Sequence, residues 1–397
     1  MFGKMSGAHI LWILNGCGLE SGSITGGPLR AHEISRRWQR GGLEQTLLTT
    51  PGGAAMLLRM GCQLPVWHVR ASLLAKRETF RAMRLWSYCV SAWAARRKIR
   101  HMPPVDVAIT VSDYFCDIAP ALALKRLQPD SRWIAWIHHK ELPPGKRPGN
   151  RLVNALTWRM QEWSFRKIAR YADQAWVLNT DAGDQVRQRL LELGMPAERI
   201  RGMSNGIDTA AIRRVSEPAK TADAVMIGVR PNKGMHDIIP AWREVQRLRP
   251  GTTLRLMGGM SGVEPVIAEI KRCGLDRVIE VFRPDGGYLA AAKYYGKIKE
   301  SRVLFAPSHE EGWGIAVCEA LCCGLPVAAY DLPAYRRVYG EALALAPCFD
   351  ALALAAQVVR LLDDDAARSR HVSAGLETAS RYDWDAIARE DAAVLPC

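Results

Sequence analysis

The chain has 397 residues, enough for two domains of ordinary size, and its 48% hydrophobic and 24% charged residues are typical of a soluble globular protein. No stretch reaches the ~18 uninterrupted apolar residues that a membrane-spanning helix requires, so the sequence predicts none. The net charge of +14 lies entirely in the first half, because residues 1–200 contain 29 Lys and Arg against 15 Asp and Glu, whereas the remaining residues contain 25 of each. A basic surface of this kind attracts anionic partners such as phospholipid, a lipid diphosphate or nucleic acid.

The cysteines and the start of the chain bear on cellular location. Ten cysteines are scattered without the spacing of a zinc site or a disulfide framework, and the apolar run at 10–14 is too short for a signal-peptide core. Cys318, Cys322 and Cys323 lie in one predicted helix, where core packing is the expected role. Reduced thiols together with the short apolar start predict a cytoplasmic protein.

Short apolar runs alternate with helical periodicity along the whole chain, and the alternation restarts once. Strands that alternate with helices indicate parallel βαβ units, and the restart indicates two doubly wound α/β domains with a boundary near 205–222. The predicted strands are 9–14, 46–49, 105–111, 132–137 and 174–178, then 224–229, 253–257, 278–282, 303–306 and 326–330. The predicted helices are 29–40 and 118–127, then 235–248, 263–273 and 315–323.

The stretch with the most specific pattern is PSHEEGWGI, which begins at Pro307. A strand ends at Pro307, a glycine-flanked turn exposes backbone N–H groups, and a helix follows whose N-terminus can stabilise an anion. Glu311 stands in the turn, and Glu319 lies about two helical turns further on, so one carboxylate can reach a sugar while the other reaches a polyol. The turn and the start of the helix are formed by Gly312, Trp313, Gly314 and Ile315.

This stretch resembles the donor-site signature of retaining GT-B glycosyltransferases of the large group 1 type (family four), in which two glutamates eight positions apart flank a Gly-aromatic-Gly turn. The resemblance covers nearly the whole chain and implies two Rossmann-like doubly wound domains facing across a cleft. SNGID at 204–208 is similar to the opening of the family's second domain, and YDW at 382–384 to the return of the last helix. The resemblance thus implies an acceptor-side domain at 1–205, a donor-binding domain at 206–381 and a crossover helix at 382–397.

The resemblance also implies roles for individual residues in the second domain. Glu311 would lie near the donor sugar, and Glu319 would bind the ribose hydroxyls. Lys233 follows the first strand of this domain, where the family places an Arg and a Lys that neutralise the diphosphate leaving group. Arg230 is only three positions before Lys233, which is shorter than the usual spacing, so the loop departs from the family pattern.

Three residues of the first domain complete the predicted donor site. Gly26 and Gly27 stand between the first strand and the first helix and resemble the glycine loop that faces the diphosphate. His138 follows the strand at 132–137, and open α/β sheets bind ligands at the carboxyl ends of their strands. The family commonly has a histidine at this place in contact with the donor sugar, and His138 fits it better than His139.

A basic segment at 76–101 has eight Lys and Arg and one acidic residue, Glu78. Its apolar residues recur at helical spacing while arginines occupy another face, which is the pattern of a helix that lies in a membrane interface. Packing of this helix on its own domain is an equally weighted alternative. The apolar residues of the pattern are Phe80, Met83, Trp86, Val90 and Trp93.

The sequence therefore predicts a retaining hexosyltransferase that moves a sugar from a nucleotide-diphosphate sugar to a glycan or lipid-linked acceptor. Lysine, arginine and helix N–H groups would stabilise the departing diphosphate, and no Asp-x-Asp clamp stands at a strand end, so neither a metal nor a cofactor is expected. The alternatives are another GT-B enzyme, namely a nucleotide-sugar epimerase or a phosphorylase, and a nucleic-acid-binding protein. The last would explain the basic half but leaves the glutamate pair unexplained, so nucleic acid is not the expected partner. The expected location is the cytoplasm, with possible peripheral attachment to an anionic membrane.

Overall fold

The computed structural model describes residues 7–16, 26–71, 81–145, 150–260, 262–283 and 289–395. The chain forms two compact units that divide after Ser204 and again after Trp384. These divisions lie one and three residues from the predicted domain boundaries. Residues 17–25 of the predicted glycine-rich loop and 76–80 of the predicted basic helix lie outside the described residues.

The first unit is built on a parallel sheet whose described strands follow the order β3-β2-β1-β4-β5-β6-β7. Strands β1 and β4, in the middle of the sheet, are buried along their full length, as expected for a parallel sheet covered on both faces. The strands are β1 His9–Leu14, β2 Glu44–Thr49, β3 Val66–His68, β4 Val107–Thr110, β5 Arg132–Ile137, β6 Gln174–Leu178 and β7 Ile200–Met203.

Helices connect the strands of the first unit, and part of the final helix of the chain belongs to it as well. One connection begins with Asn150, whose side chain accepts hydrogen bonds from the N–H groups of Leu152 and Val153 and thereby caps the helix. The helices of this unit are α1 Gly26–Arg40, α2 Pro51–Arg59, α3 Arg81–Ile99, α4 Phe115–Leu127, α5 Arg151–Tyr171 and α6 Asp181–Glu192.

The second unit contains a parallel sheet with the strand order β10-β9-β8-β11-β12-β13 among its described residues. Its strands are β8 Ala222–Val229, β9 Leu254–Met260, β10 Ile279–Val281, β11 Ser301–Ala306, β12 Val327–Tyr330 and β13 Leu343–Ala346. Its helices are α7 Thr209–Arg214, α8 Ile238–Leu248, α9 Glu264–Arg272, α10 Ala291–Lys299, α11 Ile315–Cys322, α12 Pro333–Tyr339, α13 Ala351–Asp363 and α14 Asp365–Ser380; the chain ends with α15 Trp384–Ala392.

Both units are doubly wound α/β structures, which confirms the predicted fold class. Every predicted strand has a counterpart, and the ends differ by up to three residues. The predicted first helix starts late, because Gly26 and Gly27 already form the first turn of α1. Three strands were not predicted, and each is short: β3, β7 and β13 have only three or four residues, too few for a clear period.

Four tryptophans form the centre of the first unit. The ring centroids of Trp12 and Trp38 are 5.5 Å apart, those of Trp12 and Trp136 are 5.3 Å apart, and those of Trp136 and Trp176 are 6.3 Å apart. The guanidinium of Arg30, on α1, lies 4.2 Å from the centroid of Trp136, close enough for a cation–π contact. A positive charge is therefore buried within the aromatic core.

The final helix supplies the counter-charge to Arg30. The fully buried side chain of Arg30 contacts the Asp391 carboxylate at 2.6 Å and donates to the Ser204 carbonyl at 3.0 Å. The indole N–H of Trp38 donates to the Ala388 carbonyl at 2.8 Å. These contacts attach the C-terminal helix to α1, because leaving Arg30 without Asp391 would leave a charge uncompensated in the core.

We expect Asp391→Ala to destabilise the first unit by about 3–5 kcal/mol, because it removes one partner of a buried ion pair. The control is Glu377→Ala, which breaks an exposed pair with Arg381 and should change stability by less than about 1 kcal/mol. Native-state hydrogen exchange of the α1 and α15 amides measures the loss within this unit. The double replacement Arg30→Met with Asp391→Leu should recover most of it, and equal costs for Asp391→Ala and Glu377→Ala would contradict the role given to the pair.

Candidate functional site

Two loops meet at the carboxyl edge of the sheet in the second unit. Strands β8 and β11 are neighbours, so the loop that follows β8 and the loop that follows β11 emerge side by side. The first loop carries Lys233, and the second carries Glu311. Adjacent strands whose connections depart to opposite faces form the usual ligand crevice of an open α/β sheet.

Lys233 and Glu311 are in direct contact, although 78 positions separate them in the sequence. Their side chains are only 16% and 11% exposed. The hydroxyls of Ser308 and Tyr335 also approach the same Glu311 oxygen, at 3.3 and 3.4 Å. Glu311 is therefore held by one cation and two hydroxyls, and neither hydroxyl partner was predicted from the sequence.

The charge of Lys233 is sensitive to this environment. Burial and, to a lesser extent, the nearby Arg230 guanidinium lower the pKa of the Lys233 ammonium to about 7. The contact with Glu311 opposes this effect, because an adjacent carboxylate favours the charged ammonium. Arg230 itself has a buried Nε atom without a hydrogen-bond partner among the described residues. The loop after β8 thus carries two cations close to each other, one of which contacts Glu311.

A small pocket lies beside this pair. Its walls are the carboxyl ends of β8 and β11, the first turn of α11, and Tyr335 from α12. The polar side chains that reach it are Lys233, Ser308, Glu311 and Tyr335. A pocket with apolar walls and a few convergent polar groups is the usual form of a small-molecule site.

The glycine turn before α11 is shaped by close packing. Gly314 has a φ of 90°, and a Cβ atom there would lie 2.7 Å from Cε1 of Tyr335. The hydroxyl of Tyr339 donates to the Gly314 carbonyl at 2.8 Å. Gly314 is the N-cap of α11, so the N–H groups of Ile315 and the next residue begin the helix without intrahelical acceptors. Only glycine combines this backbone conformation with this packing.

Trp313, between the two glycines, is only 3% exposed. Its ring packs edge-on against Tyr339 and Tyr382, with centroid distances of 5.7 and 5.0 Å. The indole is therefore part of the interior of the second unit. Trp313 was predicted to bind the donor. Because its ring is buried, only its main chain can contact a ligand, and the ring supports the turn between Gly312 and Gly314.

Glu319 lies on α11 and is 8% exposed. The hydroxyl of Tyr294 donates to one of its oxygens at 2.9 Å, and that of Tyr295 to the other at 3.3 Å. Both tyrosines belong to α10, and burial with the nearby Glu319 charge raises the pKa of Tyr294 well above its ordinary value. The two tyrosines fix the orientation of the carboxylate. Nothing in their sequence spacing indicated this contact.

In the first unit, Gly27 and His138 are brought together. A Cβ atom at Gly27 would lie 3.0 Å from Nε2 of His138, so a larger residue there would crowd the ring. Nε2 of His138 donates to the Val111 carbonyl at 3.0 Å, and burial lowers the pKa of the imidazole to about 4. His138 is therefore neutral, with Nδ1 as its acceptor nitrogen.

Two buried aspartates at the same sheet edge were not predicted. Asp117 accepts hydrogen bonds from the Asn15 N–H at 2.5 Å and from the Ser112 hydroxyl at 2.6 Å, and burial raises its pKa to about 7. Asp113 accepts from Nε2 of Gln161 at 2.8 Å, and burial raises its pKa as well. These contacts join the ends of β1 and β4 to α5. Asn15 and Gln161 lie far from these aspartates in the sequence, so no local motif reveals these two contacts.

Helix α3 has an exposed face, which we call the α3 face. It is formed by Trp86, Cys89, Trp93, Arg96, Arg97 and Arg100. Trp86 and Trp93 are 59% and 57% exposed, and the Arg97 guanidinium lies 4.8 Å from the centroid of Trp93. The side chains of Arg81 and Arg84, at the start of the helix, lie outside the described residues. The helix packs on its own unit through buried residues such as Leu85, Ala95 and Ile99, and it leaves the two tryptophans exposed.

Two general features bear on ligands and membranes. Within the part of the chain that the structure describes, no three His, Cys, Asp or Glu side chains are grouped so that they could hold a metal ion. In the same part of the chain, none of the helices has both the length and the apolar content needed to cross a bilayer.

Comparison with solved structures supports the fold. HepE from Anabaena, in complex with UDP and glucose, aligns with a TM-score of 0.70 and 17% identity over 97% of this chain and 98% of that one. Sucrose-phosphate synthase from Thermosynechococcus elongatus aligns with a TM-score of 0.73 and 18% identity over 98% of both chains. At these identities the similarity concerns the fold, which is the GT-B type.

Comparison of sequences gives a family. A phosphatidyl-myo-inositol mannosyltransferase of Mycobacterium leprae is 46% identical over 117 residues, which cover 26% of this chain and 31% of the relative. A glycogen synthase of Mycobacterium tuberculosis is 26% identical over 287 residues, which cover 69% of this chain and 65% of the relative. The chain thus spans less than two thirds of each of these relatives. Residues 208–378, which make up most of the second unit, match the family described as glycosyl transferases group 1.

Proposed function

We propose that the chain is a glycosyltransferase that binds a nucleotide-diphosphate sugar in its second unit and transfers the sugar to an acceptor. The observation that carries the proposal is the contact of Lys233 with Glu311 beside a pocket at the β8 and β11 strand ends, with Arg230 near enough to Lys233 to lower its pKa. The match of most of the second unit to the group 1 family supports the reaction class. Two cations around one carboxylate leave a positive charge for the ligand to neutralise.

The cations and the start of α11 act on the leaving group. As the bond between the sugar and the diphosphate breaks, negative charge grows on the phosphate oxygens. Lys233 and Arg230 stabilise this charge. The N–H groups at the start of α11, from Ile315 onward, add the positive end of a helix dipole. Lys233 would then exchange part of its contact with Glu311 for the diphosphate, which frees Glu311 to contact the sugar.

Glu319 is proposed to bind the ribose hydroxyls of the donor. Its carboxylate is already oriented by Tyr294 and Tyr295, so little side-chain entropy is lost when a further hydroxyl binds. Gly26, Gly27 and His138 remain predicted donor contacts from the first unit. Because His138 is neutral and donates through Nε2, it can accept a sugar hydroxyl hydrogen bond at Nδ1.

Retention of anomeric configuration and independence from metal ions are further parts of the proposal. Retention rests on the resemblance of the Glu311–Glu319 stretch to retaining enzymes of the family. Metal independence rests on the two cations, which supply the charge that a divalent ion would otherwise provide. A nucleotide-sugar epimerase with the same architecture would convert the donor without an acceptor, and a phosphorylase would use inorganic phosphate.

The acceptor is proposed to be lipid-linked, with the α3 face attached to an anionic membrane. Helices α3 and α5 carry ten basic residues and one acidic residue, Glu162, which is buried and paired with Arg189. Leu152 and Leu156 on α5 are 81% and 51% exposed, in addition to the two tryptophans of the α3 face. Exposed apolar side chains set among cations are what an interface with anionic lipid requires. The mannosyltransferase relative, whose name refers to phosphatidyl-myo-inositol, is consistent with such an acceptor.

Variants of the donor site test the reaction. In EDTA, the wild-type protein should transfer sugar from one nucleotide-diphosphate sugar of a panel, with the anomeric configuration of the donor kept in the product as seen by NMR. Lys233→Ala should lower kcat by about 100-fold and donor affinity less, because the charge on the diphosphate grows toward the transition state. Glu319→Ala should weaken nucleotide binding by about tenfold or more, since it removes a charged hydrogen-bond acceptor.

Lys271→Ala and Glu377→Ala, at exposed positions of the same unit, are the matched controls and should leave both quantities unchanged. Conversion of the donor without an acceptor would indicate an epimerase. Wild-type nucleotide binding by Glu319→Ala would remove the ribose role from this residue.

Proton uptake tests the state of Lys233. Its pKa is lowered to about 7, so at pH 8 the amine is largely neutral, and a bound diphosphate should draw a proton onto it. Donor affinity should therefore fall as the pH rises through 7, and below pH 6 no proton should be taken up. Titration calorimetry at pH 8 in two buffers of different ionisation enthalpy measures the uptake. An equal uptake by Lys233→Gln would assign the proton to another group.

Vesicle flotation tests the membrane proposal. Each basic residue near an anionic surface contributes about 1 kcal/mol, so Arg96→Glu with Arg97→Glu should abolish flotation on anionic vesicles at low salt. Trp86→Ser with Trp93→Ser should reduce it through loss of apolar insertion. The controls are Arg272→Glu and Leu352→Ser, which change exposed residues of the second unit. Equal flotation of all variants, or none by the wild type, would move the acceptor toward a soluble molecule.

A further inference from the structure

A second set of contacts joins the two loops that carry Lys233 and Glu311. The Asn232 carbonyl accepts hydrogen bonds from the N–H groups of His309 and Glu310, at 3.0 and 3.3 Å. Gly234, with a φ of 73°, lies so close to the second loop that a Cβ atom there would be 1.8 Å from the Pro307 carbonyl oxygen. The main chains of the two loops are therefore in contact just outside the pocket.

Side chains extend this contact away from the pocket. Nε2 of His309 donates to one carboxylate oxygen of Asp237 at 2.7 Å, and the hydroxyl of Tyr330 donates to the same oxygen at 2.8 Å. Asp237 follows β8 and precedes α8, His309 follows β11, and Tyr330 ends β12. One carboxylate oxygen thus joins segments that follow three neighbouring strands.

None of these three side chains lines the pocket, so they have no direct access to a ligand there. His309 stands two residues before Glu311, and Asp237 stands four residues after Lys233. The contact of His309 with Asp237 therefore joins the two loops close to Glu311 on one side and to Lys233 on the other. A displacement of 1 Å at reacting groups can cost about 100-fold in rate.

We propose that His309, Asp237 and Tyr330 form a positioning clamp that sets the distance between Lys233 and Glu311. The expected effect of the clamp on turnover rests on the proposed function. Its expected effect on the pKa of Lys233 does not, because that effect can be measured in the ligand-free protein. His309 and Asp237 are positioning residues, and Lys233 and Glu311 are the groups that they position. The contact of His309 with Phe349, whose ring centroid lies 4.8 Å away, is apolar and does not set this distance.

The geometry provides variants that keep the fold. When His309 is replaced, Asp237 retains the Tyr330 hydroxyl, so no buried carboxylate is left without a donor. His309→Ala removes the hydrogen bond between the second loop and Asp237. His309→Gln replaces the imidazole with an amide that can donate to Asp237. Phe349→Ala removes the neighbour on the other side of the imidazole and is the matched control, since Phe349 is 65% exposed.

Two measurements test the clamp. In steady-state transfer from the nucleotide-diphosphate sugar that the wild type uses, His309→Ala should lower kcat by at least tenfold with less than a threefold change in donor KM. His309→Gln should recover a large part of the loss, and Phe349→Ala should resemble the wild type. In ligand-free protein labelled by reductive ¹³C-methylation, the NMR signal of Lys233 should titrate at a different pH in His309→Ala, because the distance of the ammonium from Glu311 and its exposure to water both change.

The two measurements separate the two proposals. If the wild type transfers no sugar, the proposed function fails, and the Lys233 titration still decides the clamp. A Lys233 titration that His309→Ala leaves unchanged overturns the clamp, whatever the activity. Equal losses in His309→Ala and Phe349→Ala also overturn it, because they would indicate general loosening of the loop rather than loss of the contact with Asp237.

Discussion

The contact between Lys233 and Glu311 is the interaction on which the rest of the site depends. It holds together two loops that leave neighbouring strands, and it places a cation whose charge is weakened by burial next to a carboxylate. Arg230 adds a second cation without a partner for its Nε atom among the described residues. When Lys233 is protonated, the two cations exceed the single Glu311 carboxylate by one charge, and we propose that a diphosphate balances that charge.

The structure around this contact is adapted to keep it in place. Glycines stand where the main chains or rings approach most closely, at Gly234 beside Pro307 and at Gly314 beside Tyr335. Buried tyrosines supply hydroxyls to both glutamates, because carboxylates out of water need hydrogen-bond donors. The same logic holds in the first unit, where the neutral His138 and the buried Asp117 find partners at the ends of neighbouring strands.

The sequence was sufficient for the fold class and for the residues with a local signal. Glycines flanking a strand end and a helix start identified the segment that contains Glu311 and Glu319, and strand alternation placed Lys233. It could not show that Lys233 contacts Glu311, because 78 residues separate them and only the pairing of β8 with β11 brings them together.

Other features depend on tertiary packing alone. Trp313 was expected at the donor, yet its indole fills the interior, since a local motif does not reveal on which side of a turn a ring packs. The tyrosine partners of Glu319 and the Arg30–Asp391 pair likewise join residues from distant elements. The exposed tryptophans of the α3 face follow the helical period seen in the sequence, but only the packing of the helix decides which face remains uncovered.

Thermal unfolding with a panel of nucleotides tests the central claim most directly, because a ligand that binds only the native state raises its stability. The panel consists of nucleoside diphosphates and monophosphates of each common base, together with inorganic pyrophosphate. A site with excess positive charge at the β8 and β11 strand ends predicts that the diphosphate of at least one base raises the unfolding temperature well above the shift given by its monophosphate. No shift with any diphosphate, or equal shifts with diphosphate and monophosphate for every base, would contradict the account.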